Sequence, residues 1–451
     1  MKKLILIFLT IIGLEATAQE PEKAVASIQS SFQKEIKKLS RRSAIKKAFE
    51  LIEEQREQTL KDHILLTEIP APPFKEEVRA AQFAKMLEAA GADSVWIDKM
   101  GNVIALRKGK SGKKVVALDA HLDTVFPEGT NVRVQMRGDT LFAPGISDDT
   151  RGLAMVIRVL SAMNEAAVET DADILFIGTV GEEGLGDLRG VKYLFSQQGV
   201  KIDSWIAIDG GAIGRVNNKG LGSHRYQITF KGPGGHSWGA FGLANPHHAQ
   251  GSAIHYFVKA ANKFTAYGPK TSYNVGVMEG GTSINSVPFE STMLVDMRSV
   301  SPERLDSMDV ILKTAVRQAL DAQNQIRRIG AELTVDIKKI GDRPSGELPE
   351  TLPLIQRAMA CTAFFGKRPR LTRGSTNSNT PISMNIPAVT IGRGGEGRNA
   401  HSLDEWWLDK DGYKATQLAL MLLVAESGLA CLLYTSPSPR DATLSRMPSS
   451  A

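Results

Sequence analysis

The chain has 451 residues, 42% hydrophobic and 23% charged, with a formal charge of +6 and two cysteines. That composition excludes a disordered or low-complexity protein, and two cysteines are too few for a disulfide framework. The basic excess is scattered and lacks an aromatic-interleaved Lys/Arg motif, so no nucleic-acid partner is expected.

The opening MKKLILIFLTIIGLEATAQE joins Lys2 and Lys3 to an apolar run and then to small residues. This pattern predicts a secretory signal over residues 1–18 and an exported protein, periplasmic or secreted. The apolar run, residues 4–14, falls short of the roughly 20 residues of a membrane span, so no membrane partner is expected after cleavage. Residues 24–63 read as one helix, and residues 19–59 are assigned as an N-terminal helical segment. Three prolines in TEIPAPPFKEE interrupt the pattern before a second helix at 77–90.

Strands are predicted at 94–98, 103–107, 115–120, 174–180 and 204–208, with a helix at 151–163. Alternating strands and helices imply an α/β fold, a mostly parallel sheet flanked by helices. From residue 221 the texture changes to period-two strands such as SHRYQITFKG, with amphipathic helices at 244–263 and 301–325. Residues 221–340 are therefore read as an inserted α+β unit. The α/β pattern resumes over 341–428, with a helix at 352–365, a strand at 388–391 and a helix at 411–427. Residues 60–220 and 341–428 thus make one interrupted domain. Residues 429–451, rich in Ser and Pro, read as a disordered or non-native tail.

Open α/β sheets bind ligands beyond the carboxyl ends of their strands. In VVALDAHLDTVFP, His121 and Asp123 stand two apart where an apolar strand stops, so one backbone face carries both. Asp123 is positioned to hold one imidazole nitrogen while the other meets a metal. ILFIGTV runs into Glu182 and Glu183, SWIAI into Asp209, and AVTIG into a glycine-rich loop reaching His401. GISDDTRG places Asp148 and Asp149 before a helix. Asp149 is assigned the N-cap, which leaves Asp148 to bridge. His121, Asp148, Glu183, Asp209 and His401 form a donor set that suits two Zn2+, with Mn2+ or Co2+ as alternatives. A cation pair acidifies a water, and Glu182 remains as general base.

EIPAPPFKEE, DAHLDTVFP, GISDDTRG, GTVGEEGLGD, AIDGG, GPGGHSW, GGTSINSVP and AHSLDEWW together resemble the M20 metallopeptidase family, especially its tripeptidase-like branch. The resemblance covers residues 60–425 and implies a dinuclear zinc hydrolase of zinc-exopeptidase-like fold whose catalytic domain is interrupted by a lid, or dimerisation, domain. It implies that Asp148 bridges, that His121 and Asp209 complete one metal site, and that Glu183 and His401 complete the other. It further implies that His236 polarises the substrate carbonyl, reaching a neighbouring subunit in a homodimer formed through the lid. Asn285 and Arg298 match residues that hold a substrate carboxylate. Family members often carry Asp where this chain has Asn377, and Ala at Ser378; Thr150 stands where a lysine is frequent. No role is assigned to His224, His247, His248 or His255. The expected activity is hydrolysis of di- and tripeptides. The alternatives are a deacylase of N-acyl amino acids and an inactive peptide-binding homologue.

Overall fold

The computed structural model describes residues 27–196 and 200–430. The expected signal and nearly all of the expected tail lie outside the described residues. Residues 429 and 430 continue the fold: Leu429 bridges Thr170, and the Ala430 amide donates to the Glu169 carbonyl at 3.0 Å.

Three helices, α1 (Ser30–Leu39), α2 (Ser43–Glu54) and α3 (Arg56–Thr67), replace the single helix predicted over 24–63. A straight helix of about 40 residues would run about 60 Å, past the edge of the core it has to cover. Each change of direction keeps an apolar stripe inside: Ile36 and Leu39, then Ile45, Ala48, Leu51 and Ile52, then Leu66 are buried.

Next come α4 (Glu77–Ala89), β1 (Ser94–Ile97), β2 (Val103–Arg107) and β3 (Val115–His121). A hairpin of β4 (Gln135–Arg137) and β5 (Thr140–Phe142) precedes α5 (Thr150–Glu165), β6 (Asp173–Thr179), α6 (Arg189–Leu194), β7 (Ser204–Ile208) and β8 (Arg215–Gly220). A second group follows: β9 (Gly222–Lys231), β10 (Gly235–His236), α7 (Pro246–Thr265), β11 (Thr271–Gly280), β12 (Ser286–Val287), β13 (Glu290–Ser299), α8 (Pro302–Ile326) and β14 (Thr334–Arg343). The chain returns through β15 (Gly346–Glu347), α9 (Pro353–Phe364), β16 (Arg370–Gly374), α10 (Asn379–Ser383), β17 (Ala388–Ile391), β18 (Glu396–Arg398), β19 (Trp406–Leu408) and α11 (Gly412–Ser427).

The large sheet has the order β1-β2-β6-β3-β7-β17-β8-β15, with β16 beside β8. Its centre, β6-β3-β7-β17, is parallel. The pairs β1-β2, β2-β6, β17-β8 and β8-β15 are antiparallel and β16 runs parallel to β8, so the sheet is mixed around a parallel centre. The short link between β1 and β2 leaves no room for the crossover that a parallel pair requires. Strand side chains alternate between two apolar layers. Val116, Leu118, Ile174, Phe176 and Ile206 meet α5 and α11, while Ala117, Leu175, Ile177 and Trp205 meet α6. Burial on both faces is why these strands read as continuous apolar runs.

Glu426 anchors α11 to the sheet, accepting from Lys114 at 2.5 Å, from Ser204 at 2.7 Å and from Arg357 at 2.8 Å. The inserted group forms an antiparallel sheet, β11-β13-β9-β14, covered by α7 and α8. Both helices begin as their sequence dictates, with a side-chain cap followed by proline: Asn245 accepts from the His247 amide at 2.9 Å, and Ser301 from Arg304 at 3.3 Å.

Beneath the strand ends lies a buried polar cluster that accounts for Asn377. Its amide donates to Asp119 at 2.9 Å and to Thr179 at 2.7 Å, and Thr179 donates to Asp119 at 2.8 Å. Burial pushes the Asp119 carboxyl up to about 7, so a second carboxylate here would face a group already costly to ionise. Ser375 and Thr376 line the cleft described below and Asn377 does not, so this substitution bears on packing under the site. Asn377→Asp is expected to lower stability by about 2–4 kcal/mol, read as an earlier midpoint in urea denaturation with an unchanged slope.

Candidate metal centre and active site

The turn before α5 and the loops after β6, β7 and β17 line a cleft of about 890 Å³. His121 ends β3 just beneath it and is 1% exposed. Its Nε2 lies 3.1 Å from Asp148 Oδ1, and its Nδ1 lies 3.0 Å from the carbonyl oxygen of Asp123. The Asp123 carboxylate stands farther off, 3.7 Å from Nδ1. It accepts instead from the Glu182 amide at 2.9 Å and the Glu183 amide at 2.8 Å. Asp123 thus fixes the ring chiefly through its backbone, and its side chain holds the turn bearing both glutamates. A carbonyl acceptor at Nδ1 demands a hydrogen there, which leaves Nε2 facing Asp148.

His401 completes the cluster from the loop after β18. Its Nε2 is 2.8 Å from Glu183 Oε1 and 3.3 Å from Asp148 Oδ2. His121, Asp148 and Glu183 each offer a donor atom within 4.8 Å of the others. A tetrahedral ion with bonds of about 2.1 Å spaces its ligands about 3.4 Å apart, so the donor set and its spacing fit a metal ion. Hydrogen bonds that the His401 ring donates to Asp148 and Glu183 raise it to about 10. Burial disfavours a charged His121, yet its contacts with Asp123 and Asp148 hold it well above an ordinary imidazole.

Asp209 lines the same cleft but meets the cluster through Arg393, whose Nη1 is 3.8 Å from Asp209 Oδ1 and 2.7 Å from Asp148 Oδ1. Asp149 makes no side-chain cap, contrary to its sequence assignment. It is fully buried, accepting from the His121 amide at 3.1 Å, with Arg393 Nη1 at 3.3 Å. Its carboxylate turns inward because a cation and an amide wait there, whereas the cap position offers one amide and water.

Glu182 is 4% exposed. Burial pushes its carboxyl up to about 8, against the pull of the Arg343 guanidinium. Arg343 Nη1 donates to Glu182 Oε1 at 3.1 Å, and Nη2 donates to the Glu182 carbonyl. Sequence reading passed over Arg343; its signal was an arginine in GDRPSG, where the chain leaves the inserted unit. Glu405 was also missed, although AHSLDEWW contains it. Its carboxylate accepts from the amides of Gly145 at 2.9 Å, Ser147 at 2.8 Å and Asp148 at 3.0 Å, and so shapes the turn presenting Asp148.

His236 and Asn285 lie on the ribbon formed by β10 and β12, where His236 is the register partner of Ser286 and the Ser237 amide donates to the Asn285 carbonyl at 2.8 Å. Neither residue lines the cleft. Arg298 does, with its Nε 2.8 Å from Asp296. Arg215 and Arg398 line the cleft without an ion-pair partner among the described residues.

The family described as Peptidase family M20/M25/M40 matches residues 117–425. YqjE of Bacillus subtilis is 26% identical over 309 residues, covering 66% of this chain and 77% of that protein. The crystal structure of aminopeptidase PepT from Bacillus cereus superposes with a TM-score of 0.64 at 19% identity, covering 82% of this chain and 99% of that one. YXEP of Bacillus subtilis, described as a dinuclear metal binding peptidase from the M20 family, gives a TM-score of 0.58 at 18% identity over 82% of this chain and 98% of that one. The fold therefore has known counterparts, and the chain belongs to peptidase family M20/M25/M40, a family of metal-dependent hydrolases.

Proposed function

We propose that the protein is an exported dinuclear zinc peptidase that hydrolyses amide bonds of di- and tripeptides. The observation that carries this reading is the meeting of His121, Asp148 and Glu183 within 4.8 Å, with His401 2.8 Å from Glu183. Residues 1–18 support export through their basic start, apolar run and small residues. When bound, a pair of zinc ions supplies an acidified water and a polarised carbonyl. His121, Asp148, Glu183, Asp209 and His401 would hold them. Glu182 takes the proton from the attacking water at its carboxylate and returns it to the leaving amine. Its burial raises the carboxyl's affinity for a proton, and the Arg343 guanidinium limits that rise. Arg215, Arg298 and Arg398 offer cations to a substrate carboxylate along the cleft.

His236 completes the site from a second subunit in this reading. Its placement off the cleft of its own chain supports that, as do Trp238 (87% exposed), Phe241 (71%) and Ile284 (104%) in the loops flanking the same ribbon.

Glu182→Gln is expected to lower kcat by about 10²–10⁴ with zinc content unchanged, measured by steady-state kinetics beside elemental analysis. A panel of di- and tripeptides against N-acyl amino acids is expected to favour the peptides; turnover of the acyl substrates alone would replace peptidase by deacylase. Arg343→Met removes the cation that favours ionised Glu182, so its pKa rises. The acid limb of the kcat/KM profile is expected to move to higher pH. A double substitution, Trp238→Ser with Phe241→Ser, is expected to give monomers in sedimentation velocity and a loss of turnover that parallels the loss of dimer.

A further inference from the structure

Arg393 follows β17 in a glycine-rich loop that the sequence offered only as the route to His401. The residue is 7% exposed. Its Nε donates to the Gly210 carbonyl at 2.5 Å, which fixes the guanidinium across the loop after β7. One nitrogen, Nη1, then stands 2.7 Å from Asp148 Oδ1, 3.3 Å from Asp149 Oδ1 and 3.8 Å from Asp209 Oδ1. Two of those carboxylates belong to the proposed metal centre. The oxygen that Arg393 contacts on Asp148 is also the one 3.1 Å from His121 Nε2.

The centre is therefore electrically uneven. Glu183 and Asp148 Oδ2 face His401, and no Lys or Arg nitrogen among the described residues lies within ion-pair distance of Glu183. The side containing Asp209 already holds a permanent cation. Clustered buried carboxylates cost several kcal/mol each when uncompensated, and arginine stays charged under all ordinary conditions. Any metal that engages Asp209 has to displace a guanidinium that the aspartates bind well.

We propose that Arg393 is a resident counter-cation competing with the second metal, so that the protein takes up one ion tightly at Asp148, Glu183 and the imidazoles and a second one weakly on the Asp209 side. The proposal rests on the metal-dependent reading above. It separates from that reading because it concerns the ratio of two affinities rather than turnover.

The experiment is a zinc titration of the metal-stripped full chain, followed by calorimetry and by elemental analysis after dialysis against buffered free zinc. The wild type is expected to show one tight equivalent and a second at least tenfold weaker. Arg393→Met is expected to bring the two affinities within threefold and to retain two ions where the wild type retains one. Arg398→Met, which removes a cleft cation that touches no carboxylate, is expected to leave the wild-type pattern unchanged. Two equal equivalents in the wild type would overturn the proposal even if Arg393→Met failed to fold. An Arg398→Met effect as large as that of Arg393→Met would also overturn it, by reducing it to general cleft charge. Less than one equivalent in every variant would instead sink the metal-dependent reading.

Discussion

Crowded negative charge is the constraint around which this molecule is arranged. Asp123, Asp148, Asp149, Glu182, Glu183 and Asp209 meet at one end of a sheet whose body is apolar, and Asp123 and Asp149 are fully buried. Unpaired carboxylates in such a place would cost several kcal/mol each, and a few of them together would exceed the net stability of many domains. Each one has been given a partner that also gives it a direction. Asp123 takes two amides, Asp149 an amide and a guanidinium, Glu183 an imidazole, and Glu182 an arginine.

Those partners come from distant parts of the chain. Arg343 stands at the end of β14, on the strand by which the inserted sheet returns to the main body, and its guanidinium meets the proposed base. The contact ties the proposed base to the strand that ends the inserted sheet. Glu405 reaches over from beside β19 to gather the amides of the Asp148 turn. The small sheet β18-β19-β5-β4 therefore fixes two site loops together, one carrying His401 and one carrying Asp148.

Much of the fold was legible because its signals are local. Helix α7 was predicted at 244–263 and runs Pro246–Thr265; α8 was predicted at 301–325 and runs Pro302–Ile326, each with its cap and proline in place. Strands at 103–107, 204–208 and 388–391 matched to the residue because turns bound their apolar runs closely. The N-terminal segment misled for a related reason. Periodicity reports that residues 24–63 favour helix, but only the curvature of the core they cover forces bends near Ser40 and Gln55. The antiparallel edges of the sheet were equally invisible, since alternation of strands and helices says nothing about where a hairpin joins an edge.

His121, Asp148 and Glu183 were recognisable before any coordinates, because each stands where an apolar strand ends or a helix begins, and His401 because it lies in the loop that follows such a strand. Sheet geometry brings such positions together without further information. The sequence alone therefore determined the residue types at the strand ends, and with them the chemistry available to the cleft. Tertiary structure decided the electrostatics: the backbone rather than the side chain of Asp123 orients His121, Asp149 turns inward, and Arg343 and Arg393 find Glu182 and Asp209. Long cationic side chains carry no local pattern that announces their destination. They settle wherever folding leaves negative charge uncompensated, a sum over segments separated by as many as 245 residues between Arg393 and Asp148.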